Sequence, residues 1–488
     1  MKKFRIFPLV LIFCLILGAA APTAWALDDP KLNGQAAVLV DLDSGRVLYG
    51  YHENEQRAPA SLTKVMTVLL ALEALDAGRI SLEDQVIAQD DCRQGMEDDS
   101  SNIGITPGMS VSVKDLLYGI LLQSACDGCN VLGRYLAGSI GGYVDLMNQK
   151  AAELGCEHTH FANTHGMSAE GHYSSAYDQA LIFMEALKYP LFSEILVTTS
   201  YQPESPNVYY GEPMGNSNAL INITSIYSNG GRYLYEGAGG GKTGYTRAAG
   251  YCLISTAQRN GVRLLAVAMG CDGQLNAQIE DYYNFIDSRT LYDWGFDNFS
   301  YRTLLSANEV VERLEVELAE GESVAMLRPA EDVRALLPND LPDEAIRRDV
   351  ALYGTTLTAP IAAGTVLGEI RVSADGVVYG TTKLVNSSAI ELSRNAYLTQ
   401  RLGEILSKGW VIALIAVLLV FTLIYLILVI RYRRLRRRHL RERKRIEKLR
   451  REQEAAKAKP RVSYDLARPD ERFDFSADMS EFFDDDKK

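Results

Sequence analysis

Cysteine is scarce in this chain: there are seven in 488 residues, Cys14 near the N-terminus and then Cys92, Cys126, Cys129, Cys156, Cys252 and Cys271. So thin a supply excludes a disulfide scaffold as the basis of the fold, although six cysteines beyond the N-terminal run leave disulfides allowed in an oxidising compartment. Positive charge is also short over most of the length. The formal charge of −12 divides into +3 before Leu27, +7 after Ile430 and −22 between them. Coulomb repulsion from so acidic a body excludes broad binding of nucleic acid or other anionic polymers. No long internal repeat is present. The apolar poverty of a disordered chain is absent too, since 47% of residues are hydrophobic. At this length one ordinary core is exceeded, and two or more domains are expected.

Long apolar runs are confined to two places. MKKFRIFPLVLIFCLILGAAAPTAWA has a basic start, an apolar middle and a small-x-small end, the pattern of a secretory signal (1–26) cleaved after Ala26. WVIALIAVLLVFTLIYLILVI, residues 410–430, has no charge and the length of a membrane-crossing helix. The basic block RYRRLRRRHLRERKR follows at once, and the positive-inside rule keeps it in the cytoplasm and the long preceding segment outside.

Between these runs the pattern predicts an α+β fold. QAAVLVDLDSGRVLYGY reads as strand, tight turn at Asp43-Ser44-Gly45, and strand; GYCLISTAQRNGVRLLAVAMG is a second hairpin closed by Asn260-Gly261. Residues 61–190 are mostly helical in pattern. One antiparallel sheet built from both ends, with the helices packed against it, is the expected first domain, residues 27–299. Short alternating segments over 300–395 predict a small β-sandwich domain. A helical linker (396–409), the transmembrane helix (410–430) and a tail, basic then acidic (431–488), complete the expected order. The tail's basic part either lies on the anionic inner leaflet or continues the membrane helix, and FDFSADMSEFFDDD is a candidate docking segment for a cytoplasmic partner, against a solvated tail as the plainer alternative.

Three short stretches carry chemistry. In APASLTKVMT, residues 58–67, Ser61 and Lys64 stand three apart, on one side of a helix. Either Ser61 caps the helix and Lys64 snorkels outward, or the serine is a nucleophile and the lysine its base, since an amine in apolar surroundings favours its neutral form. In DLLYGILLQSACDGCNVLGRYLAG an apolar helix stops at Ser124, which is either an ordinary turn serine or one whose hydroxyl projects into a cleft, and Asp127 stands where it would cap the next helix. In EGAGGGKTGYTRAAGYCLIS, glycines crowd Lys242-Thr243-Gly244 and a strand follows. Lys242 and Thr243 on an edge strand suit a carboxylate, and Gly244 permits close approach of a substrate backbone. A phosphate loop is excluded because that motif must open a helix.

Taken in order, Ser-x-x-Lys, Ser-x-Cys and Lys-Thr-Gly resemble the penicillin-recognising serine hydrolases. Within them the chain is most similar to the low-molecular-weight penicillin-binding proteins, the D-alanyl-D-alanine carboxypeptidases. FANTHGMSAEGHYSSAYDQALI at 161–182, the small β domain and the C-terminal membrane attachment share the resemblance, which runs from about residue 28 to 409. It implies a β-lactamase/DD-peptidase-like catalytic fold and a serine-type carboxypeptidase acting on peptidoglycan stem peptides ending in D-Ala-D-Ala. Ser61 is then the nucleophile, Lys64 its base and Ser124 the proton relay; Lys242 and Thr243 hold the terminal carboxylate, and the backbone N–H groups of Ser61 and Tyr245 form the oxyanion hole, beside Gly244. β-Lactam antibiotics are the expected inhibitors.

One departure stands out. The family has Ser-x-Asn at the second motif, and here Cys126 occupies the asparagine's place; a thiol is a weak donor and a weak acceptor. Asn130 is a candidate to compensate. The resemblance implies no cofactor. Four histidines, His158, His160, His165 and His172, lie near Cys156, but their spacing is irregular and no metal site is expected. The alternatives to a carboxypeptidase are a β-lactamase, for which no loop carboxylate suited to fast deacylation is apparent, and a membrane-held wall-binding protein whose catalysis has decayed.

Overall fold

The computed structural model describes residues 27–274, 281–374 and 376–457. The expected signal segment 1–26 and the acidic-aromatic stretch of the tail lie outside the described residues.

Strands β1 (Ala36–Asp41) and β2 (Val47–Tyr51) form the first hairpin, turning at Gly45. The chain then builds the helical part before returning. Its elements are α1 (Thr63–Asp76), the short pair β3 (Gln85–Ile87) and β4 (Ser110–Ser112), then α2 (Val113–Leu122), α3 (Cys126–Ala137) and α4 (Ile140–Glu153). They continue with α5 (Ala176–Ala186), α6 (Pro190–Val197) and the two-residue strands β5 (Ser200–Tyr201) and β6 (Met214–Gly215). β7 (Ala238–Thr246), β8 (Gly250–Arg259) and β9 (Val262–Cys271) then complete one antiparallel sheet in the order β2-β1-β9-β8-β7. Both ends of the segment meet in it, as expected. The β8–β9 turn places Asn260 at φ 52° and Gly261 at φ 82°, the two left-handed residues that a tight hairpin turn needs.

The sheet is covered on both faces, which is why its strands read as continuous apolar runs. Val38 and Val40 of β1 join Leu265 and Val267 of β9 against α1 and α5, whereas Ala37 and Leu39 join Leu264 and Ala266 against α7 (Tyr283–Asn298), which brings Phe285, Leu291 and Tyr292. Helix α1 is buried around nearly its whole girth, not along a stripe. Lys64 in its first turn is fully buried, so the snorkelling alternative does not hold. Nor does Ser61 cap α1, whose N-cap is Leu62 with no side-chain hydrogen bond.

After α7 the chain enters an all-β region. β10 (Phe299–Leu305) pairs with β13 (Val333–Pro338). The strands β11 (Glu312–Glu317), β12 (Val324–Pro329), β14 (Arg347–Leu352), β15 (Leu357–Thr358), β16 (Val366–Ala374) and β17 (Val377–Asn386) make a six-stranded sheet in the order β14-β16-β17-β12-β11-β15. Alternation is clear in β16, where Ile370 and Val372 are buried between more exposed neighbours. A separate unit holds α8 (Arg394–Leu406) and α9 (Gly409–Lys457). Helix α9 carries the apolar run 410–430 and continues unbroken through the basic block, the second of the two alternatives left by the sequence. Among the described residues it is the one helix long and apolar enough to cross a membrane. The six described cysteines are free thiols, all buried.

Asp127 corrects a local expectation. The N-cap of α3 is Ala125, without a side-chain bond. The Asp127 carboxylate turns instead to the 97–105 loop and accepts from the backbone N–H of Ile103 at 3.1 Å, Ile105 at 2.9 Å and Gly128 at 2.9 Å. Burial pushes its carboxyl up from the ordinary range, and these donors oppose that push. Asp127→Ala leaves buried N–H groups without their acceptor, at about 1–3 kcal/mol each. The expected outcome is a lower thermal midpoint for the full-length protein in detergent; an unchanged midpoint would mean that the loop finds other acceptors.

Candidate active site

The chain reaches Ser61 through Ala60, a non-glycine residue at φ 47°, and makes one 3-10 turn, Ala60–Leu62, before α1 begins. That turn is clamped from two sides. Gly166 (φ 90°) of the 161–182 loop lies so close that a Cβ there would meet the Ala60 carbonyl oxygen at 1.9 Å. Gly244 of β7 lies opposite, where a Cβ would stand 3.1 Å from the Ser61 nitrogen. Gly166 therefore needs glycine for the approach itself, and at Gly244 a side chain would crowd the turn by a few tenths of an ångström.

Lys64 projects back from the first turn of α1. Its Nζ is hydrogen-bonded to Ser61 Oγ at 2.7 Å and donates to the His165 carbonyl at 2.5 Å. The second pair stands beside it. Ser124, at φ 61° in the turn between α2 and α3, accepts from Lys242 Nζ at 3.1 Å, and Lys242 also donates to the Thr243 carbonyl at 2.8 Å. Lys242 is fully buried, and desolvation, with the neighbouring Lys64 charge second, lowers its pKa to about 7.

These groups stand on or just behind an open cleft of about 1020 Å³. Ser61, Ser124 and Cys126 line it, with Thr243, Gly244 and Tyr245 along the β7 wall. Lys242 does not line it; its amine sits behind Ser124. Thr243 Oγ1 pairs with Ser217 Oγ at 2.7 Å, and the Tyr245 ring leans on Tyr251 with centroids 4.5 Å apart. The rim is charged with opposite signs, Glu97, Asp98 and Asp99 on one loop and Arg247 at the end of β7. The sequence reading missed Ser217, Arg247 and the 97–102 loop. Arg247, three residues after Gly244 on the same strand end, had the one usable signal; Ser217 had none.

Asn130 does not take over for the absent asparagine. Its amide nitrogen donates to the Cys92 and Gln94 carbonyls and its oxygen accepts from Thr164 Oγ1, so its bonding capacity is spent inside the core. Two histidines are equally committed. His172 Nε2 pairs with Thr63 Oγ1 at 2.9 Å, His165 Nε2 lies 3.2 Å from the Gln94 carbonyl, and burial lowers both imidazoles to about 4. Neither is a base poised for neutral pH. Among the described residues no group of three or more His, Cys, Asp or Glu could hold a metal ion.

A serine hydroxyl with a buried amine at 2.7 Å, facing an edge strand across an open cleft, is the equipment of a serine hydrolase. Residues 23–273 match the family model for D-alanyl-D-alanine carboxypeptidase, and residues 299–392 match that for the C-terminal domain of penicillin-binding protein 5. The chain is 33% identical over 385 residues to D-alanyl-D-alanine carboxypeptidase DacF of Bacillus subtilis, covering 75% of this chain and 90% of that protein. Penicillin-binding protein 5 of Haemophilus influenzae superposes with a TM-score of 0.57 at 26% identity, covering 75% of this chain and all of that one. Penicillin-binding protein 6B of Escherichia coli does so at 0.56 and 27%, covering 74% and 98%. The chain belongs to the D-alanyl-D-alanine carboxypeptidase family.

Two outcomes follow from this geometry. The folded Lys242 binds its proton with a pKa near 7 against 10.5 for the free side chain, so the burial penalty is complete below pH 7 and disappears as pH rises toward 10.5. Lys242→Met is therefore expected to raise the urea midpoint most at pH 6.5, with the gap to the parent narrowing by pH 9.5; a gap that widens would reverse the assignment. Gly244→Ala crowds the Ser61 turn by a few tenths of an ångström and is expected to lower kcat/KM by about tenfold, with little change in thermal midpoint; an unchanged kcat/KM would mean that the turn yields without cost.

Proposed function

We propose that the protein removes the terminal D-alanine from peptidoglycan stem peptides through an acyl-enzyme on Ser61. The observation that carries this is the 2.7 Å contact between the buried Lys64 Nζ and Oγ of Ser61, which lines the cleft. Ser61 Oγ attacks the carbonyl carbon of the penultimate D-alanine while the Lys64 amine takes the hydroxyl proton. The oxyanion is received by the backbone N–H groups of Ser61 and Tyr245, which act as charge develops. As the C–N bond breaks, Ser124 passes a proton to the departing amine, supplied along the Lys242–Ser124 contact. Water then hydrolyses the ester and frees Ser61.

Substrate orientation is divided along the β7 wall. Thr243, on the cleft, faces the terminal carboxylate, with Arg247 on the same wall adding charge; Lys242 acts through Ser124 from behind. Cys126 presents a thiol where the substrate amide would pass. β-Lactams offer a similar amide and carboxylate and acylate the same serine. The division into a catalytic domain at 27–299 and a β domain at 300–395 is supported by the change of sheet at Phe299. The apolar helix α9 suggests membrane anchoring, and the basic stretch behind its apolar run supports a single pass with the hydrolase outside and the tail in the cytoplasm. A cytoplasmic partner of the tail has no further support.

The test is intact-mass analysis of the full-length protein with benzylpenicillin. One long-lived adduct is expected on the parent and none on Ser61→Ala, with D-alanine release from a stem pentapeptide lost in the same variant. Lys64→Ala is expected to slow acylation by about 10²–10⁴-fold. Rapid turnover of the antibiotic would instead identify a β-lactamase, and a folded parent with no adduct would leave a binding protein.

A further inference from the structure

The start of α3 carries a pair of thiols to which hydrolysis assigns no bond-making step. Cys126 and Cys129 form a C-x-x-C sequence in the opening turn of α3. Cys126, its first residue, lines the catalytic cleft, whereas Cys129 points into the core and is fully buried. Both are free thiols, and no other described cysteine lines this cleft. Residues three apart in a helix are neighbours with Cβ atoms about 5–6 Å apart, while a disulfide needs Cβ atoms at roughly 3.5–4.5 Å. Closing the bond therefore requires the first turn of α3 to tighten by about an ångström or more. The Lys242 charge acts on both thiols and the Lys64 charge on Cys129, so amines able to carry a proton are at hand.

We propose that Cys126 and Cys129 are a dithiol modification site, which a hydroperoxide entering the catalytic cleft oxidises to a disulfide, and that this bridge switches the hydrolase off. For its effect on hydrolysis the proposal rests on the Ser61 reading above. In the first step the Cys126 sulfur attacks the peroxide; the O–O bond breaks, Cys126 becomes a sulfenic acid and its proton leaves with the departing oxygen as water or an alcohol. In the second the Cys129 sulfur attacks the sulfenic sulfur, the S–O bond breaks and the Cys129 proton leaves with the hydroxide as water. Two thiols are oxidised and one peroxide is reduced. Burial pushes the Cys129 thiol up and disfavours its thiolate, so its attack in the second step needs its proton taken up by a neighbouring amine, while Cys126, which lines the cleft, takes the first step. An external dithiol reverses the bridge by exchange.

The effect on catalysis follows from what the turn holds. Cys126 N–H donates to the Ser101 carbonyl at 2.9 Å, and Ala125 N–H to the Gly119 carbonyl at 3.1 Å. Between them they fix Ser124 in its left-handed conformation, 3.1 Å from Lys242 Nζ. Drawing Cys126 toward Cys129 moves Ser124 off that amine and withdraws the thiol from the cleft.

The experiment treats full-length protein in detergent with hydrogen peroxide, alkylates remaining thiols in denaturant and maps the peptides by mass. D-alanine release by the untreated protein is read first, so an inactive parent would count against the hydrolase reading, while the map alone decides the dithiol. The expected result is a Cys126–Cys129 bridge, a fall in D-alanine release of at least about tenfold, and recovery with dithiothreitol. Cys129→Ala is expected to keep its basal activity and to form no bridge, its oxidised Cys126 being trapped by dimedone. Phenylarsine oxide, which needs two thiols in bridging distance, should give a one-to-one adduct on the parent, a reading independent of whether the variant folds. Both thiols alkylated after peroxide, no arsenical adduct, or a bridge that leaves D-alanine release unchanged would each overturn the proposal.

Discussion

Two lysine amines buried side by side are the constraint on which the rest of this structure depends. Each leaves water entirely, and an amine so placed is costly unless its donors are met. Lys64 is met by Ser61 Oγ and the His165 carbonyl, Lys242 by Ser124 Oγ and the Thr243 carbonyl. The partners come from four stretches far apart in sequence: the turn before α1, the α2–α3 turn, the 161–182 loop and β7. Their convergence is what the apolar sheet and the fully buried α1 accomplish. Because desolvation favours the neutral form, and because the neighbouring Lys64 charge adds repulsion, Lys242 is drawn toward neutrality near pH 7. The chemistry of the cleft is thus a by-product of where the core places its charges.

The tight fit around Ser61 has a structural cost. Ala60 and Ser124 both sit in left-handed backbone conformations that non-glycine residues seldom adopt, each at about 1–3 kcal/mol. Surrounding bonds hold them there. Asp127 anchors the 97–105 loop to the start of α3, Asn130 ties that helix to Thr164 and to the Cys92–Gln94 turn, and Gly166 and Gly244 remove the side chains that would keep the clamp open. Strain at the two serine turns, supported by bonds from the second layer, is a pattern suited to a preorganised site.

Much of this was legible in the sequence. The hairpin at Asp43–Gly45 and the one at Asn260-Gly261 announced themselves through turn residues between apolar runs, and the sheet joins them as expected. The alternation past residue 299 foretold a β region, and the charge-free run at 410–430 with its basic flank foretold a long apolar helix. The Ser-x-x-Lys and Lys-Thr-Gly stretches marked residues that the structure does bring to one cleft. Other local signals misled. Asp127 had the position of a helix cap but turns to a loop more than twenty residues earlier, since buried N–H groups of Ile103 and Ile105 need an acceptor more than a helix end near its own backbone does.

What the sequence by itself determined is what depends on neighbours along the chain: turn chemistry, strand alternation, the span of the apolar helix and the spacing of Ser61 from Lys64. What only the tertiary structure decided is what depends on burial. Four residues of sequence cannot say whether a lysine snorkels or is sealed in, because that is set by which surfaces pack over it. The same holds for Lys242, which stands behind Ser124 and not on the cleft, for Asn130, whose amide is spent in the core, and for Cys126, which is buried but lines the cleft while Cys129 faces away. Desolvation and hydrogen-bond partnership are properties of the assembled core, and they set where these side chains stand.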